Sequence, residues 1–310
     1  MLAVAFAVGF SGLVAMLMRR CFPGWASDSA LGRGAGLSLL SIGLALVISG
    51  MAMAACTAAL GPGRHVIADA YVVAAFGEET ARYIALLLLL RGMISDDARE
   101  FVVGAAAVGL GFGVMENLLY LSGNNRATMG HLELGVVRGI VSAPTHLACA
   151  LLSAYGIWAV ASRRQSLGLA VLTYLLAILL HGSFDAGVMA WPSPLKPDFE
   201  GQGVLVLVGL GALIMASIVA SAVVSLYVIG EFLGWAQADA THDPASAAPL
   251  ESHWQVAGRA LAAAAIALLV APLAIAGLGT VQMGVFYAPV LAGAAGSMAL
   301  WSLAISQLAQ

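Results

Sequence analysis

The chain has 310 residues, of which 61% are hydrophobic and only 9% charged, with a formal net charge of −3. A soluble domain carries about 25% charged residues. The composition therefore excludes an ordinary soluble protein and points to an all-α, polytopic transmembrane helix bundle. No basic patch or recognised motif supports nucleic-acid binding, so the lipid bilayer is the expected surrounding.

Apolar runs long enough to cross a bilayer predict about nine helices, at roughly 2–18, 35–60, 67–90, 101–122, 134–160, 166–191, 203–233, 256–278 and 281–306. The first run lacks a basic n-region, and Arg19 and Arg20 follow it instead of preceding it. It reads as a retained span, not a signal peptide. Short connections carry turn formers, as at Gly61-Pro62-Gly63 and Trp191-Pro192-Ser193-Pro194, and the polar stretch near 236–255 is expected to be a loop. Cys21, Cys56 and Cys149 are too widely spaced for a metal cluster or a disulfide framework.

Orientation follows from the basic residues. Arg19, Arg20, Arg33, Arg91, Arg99, Arg163 and Arg164 lie in the odd-numbered loops, whereas the alternate loops hold only Arg64, Arg126 and Lys196. The odd-numbered loops are expected in the cytoplasm and the N-terminus outside.

Four consecutive spans break the apolar pattern. In the third, Glu78, Glu79 and Arg82 sit near mid-membrane, because eleven residues from Ile67 correspond to ~16 Å of helix. A charged side chain there costs ~2.5–3.5 kcal/mol or more, so it is expected to be paired and turned inward. Arg82 is spaced i+4 from Glu78 and i+3 from Glu79 and can pair with either. One carboxylate held by arginine leaves its neighbour for general-base work on water. An internal salt bridge with no chemistry fits the same spacing.

The fourth span adds Glu116, one turn after the small-xxx-small pair Gly109 and Gly113. The fifth carries Arg138 and His146 on roughly one face, with Pro144 between them, freeing a carbonyl one turn earlier. The sixth carries His181 and, one turn on, Asp185, placed to orient His181 or to polarise a carbonyl. Taken singly, Glu116 and His146 are as consistent with structural hydrogen bonds as with ligand roles. Glu116, His146 and His181 together form a common zinc set, in which the ion acidifies water and polarises a carbonyl. The spacing is not the local H-E-x-x-H pattern.

The ordered series EExxR, FxxxEN with Tyr120 after it, a histidine helix closing on Ser153 and Gly156, then HxxxD resembles the PrsW family of intramembrane proteases. The resemblance runs from about Ala75 to Gly187, and it is distantly similar to the CAAX prenyl proteases. It implies a membrane-embedded metalloprotease that makes the first cut in a single-pass substrate of the anti-sigma-factor kind, in a prokaryotic inner membrane. Glu78 and Glu79 match the family's paired glutamates, Glu116 the second motif, His146 the third and His181 the fourth. Arg82 stands where the family usually has lysine, and Glu116 where CAAX proteases have histidine, which argues against prenylated substrates.

The resulting reading divides the chain into two N-terminal helices (1–66), a catalytic core (67–191) and C-terminal helices (192–310). Glu78 is the expected base, with Glu79 tied to Arg82 and Asp185 supporting His181. Glu116, His146 and His181 hold zinc or directly orient water, a metal-free variant being the nearest alternative. A proton-coupled carrier or a scaffold binding a partner helix would also bury such groups. No internal repeat of the carrier kind is visible, and all four motifs retain reactive residue types.

Overall fold

The computed structural model describes residues 28–61, 65–93, 97–122, 142–190 and 204–241, with Arg138 and five isolated positions before residue 17. Every element among them is helical, and no strand occurs among the described residues. In chain order they are α1 (Asp28–Leu60), a π-helical segment (Ala68–Ala75) that continues directly into α2 (Phe76–Gly92), α3 (Ala98–Ser122), α4 (Ala143–Ala161), α5 (Leu167–Ala190) and α6 (Val204–Thr241). Helices α1, α3, α4 and α5 up to Met189 are long and apolar enough to cross a membrane. The expected eighth and ninth spans lie outside the described residues, and the expected first is described at five helical positions only.

Several boundaries differ from the sequence reading. The third span is not one uniform α-helix: its first half is π-helical and its second half is a 17-residue α-helix carrying four charged residues. Pro144 sits in the first turn of α4, which follows directly on Ser142, itself with helical dihedrals, and the carbonyl it was expected to free lies outside the described residues. Helix α6 continues to Thr241, into the stretch expected to be a loop. The residues there include Ala236, Gln237, Ala238 and Ala240, all good helix formers, so polarity alone does not end the helix.

Helix α4 is the centre of the bundle. Within its apolar window 89% of residues are buried, against 11% for α1, whose Leu39, Leu46, Val47 and Met51 face outward. Packing depends on small residues, because lipid tails leave little hydrophobic force to draw helices together. Gly109 of α3 lies against Ala150 and the His146 carbonyl of α4, and Gly156 of α4 against Ala170 and Thr173 of α5. Gly77, at the start of α2, meets Ser49 of α1. A Cβ at any of these would overlap its neighbour, so the glycines set how closely the helices approach.

The bundle has two unlike halves. Toward the C-terminal ends of α2 and α4, Leu86, Leu89, Phe101, Leu151, Trp158 and Phe232 form an apolar core, with Phe101 stacked on Trp158 at 5.3 Å. Toward the other ends of the same helices the interior is polar. Tyr71 of the π-helical segment closes that half against α5, its ring over Gly182 and its hydroxyl 2.8 Å from Ser183 Oγ.

Candidate active site

Adjacent residues on a helix point about 100° apart, and this separates Glu78 from Glu79. Glu79 turns fully inward at 0% exposure, while the Glu78 side chain keeps 14% and borders a cavity. Arg82, one turn further along α2, is also at 0% exposure and has both carboxylates within reach.

The Arg82 guanidinium is the hub of the polar half. Its Nη2 donates to Glu79 Oε1 at 2.5 Å and lies 3.0 Å from His181 Nδ1. Its Nη1 donates to His146 Nδ1 at 2.8 Å, and the group sits 4.4 Å over the Phe112 ring. Three helices, α2, α4 and α5, are thus joined through one cation.

Arginine can only donate, which assigns the histidine protons. His146 Nδ1 accepts from Arg82, so its proton is on Nε2, donated to Glu116 Oε2 at 2.6 Å with Ser142 Oγ at 3.0 Å. Glu116 Oε1 is held by Arg138 at 2.5 Å. Arg138 also donates from Nε to Asn117 Oδ1 at 2.9 Å and lies 3.8 Å over the Tyr120 ring. In α5, His181 Nδ1 is 2.7 Å from Glu79 Oε1 and donates to it. Its Nε2 then faces Asp185 Oδ2 at 3.3 Å and Glu78 Oε2 at 3.7 Å.

That last grouping decides what the site can hold. His181 Nε2, Asp185 Oδ2 and Glu78 Oε2 are all electron-pair donors, and Glu78 Oε2 is buried without a hydrogen-bond partner. Such a set is satisfied by a shared proton or by a cation. The donor atoms of Glu78, His146 and His181 lie within 4.8 Å of one another, close enough for one ion. The residues fit a divalent metal, with His146 contributing a nitrogen by exchanging one of its two hydrogen bonds. Glu116 meets the group through His146, both its oxygens being engaged by Arg138 and His146.

All seven residues singled out from the sequence, Glu78, Glu79, Arg82, Glu116, His146, His181 and Asp185, fall in this one network. Ser153, noted beside them, is buried in α4 seven residues past His146, and its hydroxyl has no partner among the described residues. The sequence reading gave no part to Ser142 or Phe112 and left Arg138 without a partner. Ser142 lies one turn before His146, and that i,i+4 spacing was the available signal.

A cavity of about 840 Å³ leads to the cluster. Glu78, Glu116 and Phe112 line it beside the cluster, and Met53, Asp69 and Tyr120 are also among its lining residues. Its walls are mostly apolar, so a peptide segment of a membrane protein fits its chemistry better than a polar solute.

An apolar helix bundle with carboxylates and imidazoles gathered beside an internal cavity is the arrangement of a hydrolase working inside the membrane. The model of the PrsW family, described as intramembrane metalloproteases, matches residues 23–222, and the chain belongs to that family. It is an integral membrane protein and an intramembrane metallo-endopeptidase whose substrates are membrane proteins. The match is longer than the resemblance read from the motifs, extending back into α1 and forward into α6. Comparison with curated proteins and with solved structures gives no match.

Removing Arg82 should reveal how far the cluster depends on it. Arg82→Met leaves Glu79 as a buried carboxylate without its cation, a loss of ~3–5 kcal/mol. Adding Glu79→Gln should restore much of that, as read by unfolding of the detergent-solubilised protein. Equal stability of the single and double variants would contradict the pairing.

Proposed function

We propose that this protease hydrolyses a peptide bond near the extracytoplasmic end of a single-pass membrane substrate, using water activated by Glu78 beside His181. The observation that supports it is the position of these two groups. Glu78 is the carboxylate that borders the cavity, and its Oε2 shares the approach to His181 Nε2 with Asp185. Glu78 takes a proton from the attacking water and delivers it to the departing amide nitrogen as the C–N bond breaks. His181 orients the water, with its ring fixed from behind by Glu79 and Arg82. Asp185 supports His181 or, protonated, the developing oxyanion.

Glu78, His146 and His181 are the residues that would hold zinc, with Glu78 lending one carboxylate oxygen to the ion and keeping the other for proton transfer; the ion bound there supplies Lewis acidity to water and to the scissile carbonyl. Arg138 and Glu116 hold the His146 ring in one orientation, as carboxylates do behind ligating histidines. Glu116 as a direct ligand, the sequence expectation, would require release from Arg138.

The wider reading keeps about nine spans, the catalytic core at 67–191, the N-terminus outside and a prokaryotic inner membrane. The C-termini of α1, α3 and α5 and the start of the π-helical segment then lie on the extracytoplasmic side. Unwinding a substrate helix near that surface leaves its freed backbone groups within reach of water. An anti-sigma factor is the substrate kind implied by the family.

Cleavage of a co-expressed single-pass substrate should fall by at least ~10²-fold in Glu78→Gln and in His181→Ala, with the protein still folded. Mass spectrometry of the wild-type fragments should place the cut in the extracytoplasmic half of the substrate span. Retained cleavage in both variants rules out these assignments, and a cut in the cytoplasmic half overturns the topology or the site.

Elemental analysis of the purified protein should find one zinc per chain, lost in His181→Ala. Wild-type protein that cleaves with no metal bound would overturn the zinc assignment.

A further inference from the structure

Asp69 borders the same cavity as Glu78, nine residues earlier in the chain. In a continuous α-helix nine residues turn through about 900°, which would put the two side chains on opposite faces. The π-helical segment removes that difference. Its wider turn advances roughly 80° per residue, so seven π steps and two α steps bring Asp69 to within about 60° of Glu78. The departure from α geometry is what lets both carboxylates line one channel.

The two stand at different depths. Helix α1 runs antiparallel to the π-helical segment and α2, with Ser49 against Gly77, so Met53 lies toward Asp69, at the end of the cavity nearest the start of the π-helical segment (its mouth), and Ile42 lies beyond Glu78. The axial separation is ~13 Å at most. An extended peptide covers that distance in ~4 residues at ~3.3 Å each. The carboxylate of Asp69 has no hydrogen-bond or ion-pair partner among the described residues, in contrast to Glu116. It is a half-buried negative charge in a channel with largely apolar walls, including Val66, Val73 and Leu119.

We infer that Asp69 is a substrate-selecting residue, receiving a lysine or arginine side chain that lies about four residues from the scissile bond on the mouth side. The inference rests on the protease reading of the Glu78 site. Apolar walls accommodate the segment nearest the cut, and a long basic side chain can lay its methylenes along them while its charge reaches Asp69. Among single-pass proteins a basic residue just inside the extracytoplasmic boundary is uncommon, because basic residues collect on the cytoplasmic side. Such a rule would restrict cleavage to few membrane proteins.

The test uses the full chain in proteoliposomes with a single-pass substrate whose cut has been mapped. Lysine, glutamine or glutamate is placed in turn two to six residues from the cut on the mouth side. The wild type should prefer lysine over glutamine by on the order of tenfold near the fourth position, and disfavour glutamate. Asp69→Asn, nearly isosteric, should flatten that preference, and Asp69→Lys should shift it toward glutamate. Arg64→Gln, which removes the nearest basic residue earlier in the chain, should leave the wild-type preference in place. A lysine preference that persists unchanged in both Asp69 variants overturns the inference while leaving the protease reading intact. Failure of the wild type to cut any substrate of the series overturns both.

Discussion

Arg82 lies at zero exposure inside an apolar bundle, and a guanidinium cannot shed its charge to escape that setting. It must gather acceptors, and those it has are Glu79 on its own helix and His146 from α4, while His181 from α5 joins the group by donating to Glu79 beside the guanidinium. Satisfying this one cation therefore sets the register of α2 against α4 and α5 in the polar half. It also sets the direction of both imidazoles, since each turns its Nδ1 toward the guanidinium. The other ring nitrogen of His146 is then given to Glu116, and that of His181 to the acidic pair facing the cavity. Lysine, usual at this position in the family, carries the charge without the planar fork that reaches two histidines at once.

Close helix approach makes the network possible. Side chains meeting at 2.8–3.0 Å across three helices require backbones that come near each other, and Gly109 and Gly113 provide this between α3 and α4. Small residues thus serve a geometric purpose at the polar end that large aromatics serve at the other, where Trp158 and Phe232 fill the space. The π-helical segment adds a third device, changing the phase of the chain between the mouth of the cavity and the site.

Much of this was legible in the sequence because charge is so costly in an apolar span. Glu78, Glu79, Arg82, Glu116, His146, His181 and Asp185 each stood out against surroundings with no reason to contain them, and the structure brings all seven into one network. The spacing allowed Arg82 to pair with either glutamate, and it lies within reach of both, closer to Glu79. Less legible were features set by neighbours instead of by local pattern. Nothing in Ala68–Ala75 distinguishes a π-helix from an α-helix, because its residues suit either and the difference lies only in which carbonyl each N–H reaches. The expected ligand group joined Glu116 to the histidines by residue type; Glu116 does lie 2.6 Å from His146, but the three donors that come within 4.8 Å of one another are those of Glu78, His146 and His181.

The central claim is that one buried guanidinium holds both histidines beside it, His146 directly and His181 with Glu79. Magic-angle-spinning NMR of the lipid-embedded protein, with labelled arginine and histidine, measures this directly. The account predicts dipolar coupling from the Arg82 guanidinium nitrogens to the rings of both His146 and His181, at the 2.8 and 3.0 Å separations seen here. Coupling to neither ring, in protein that cleaves its substrate, would contradict it.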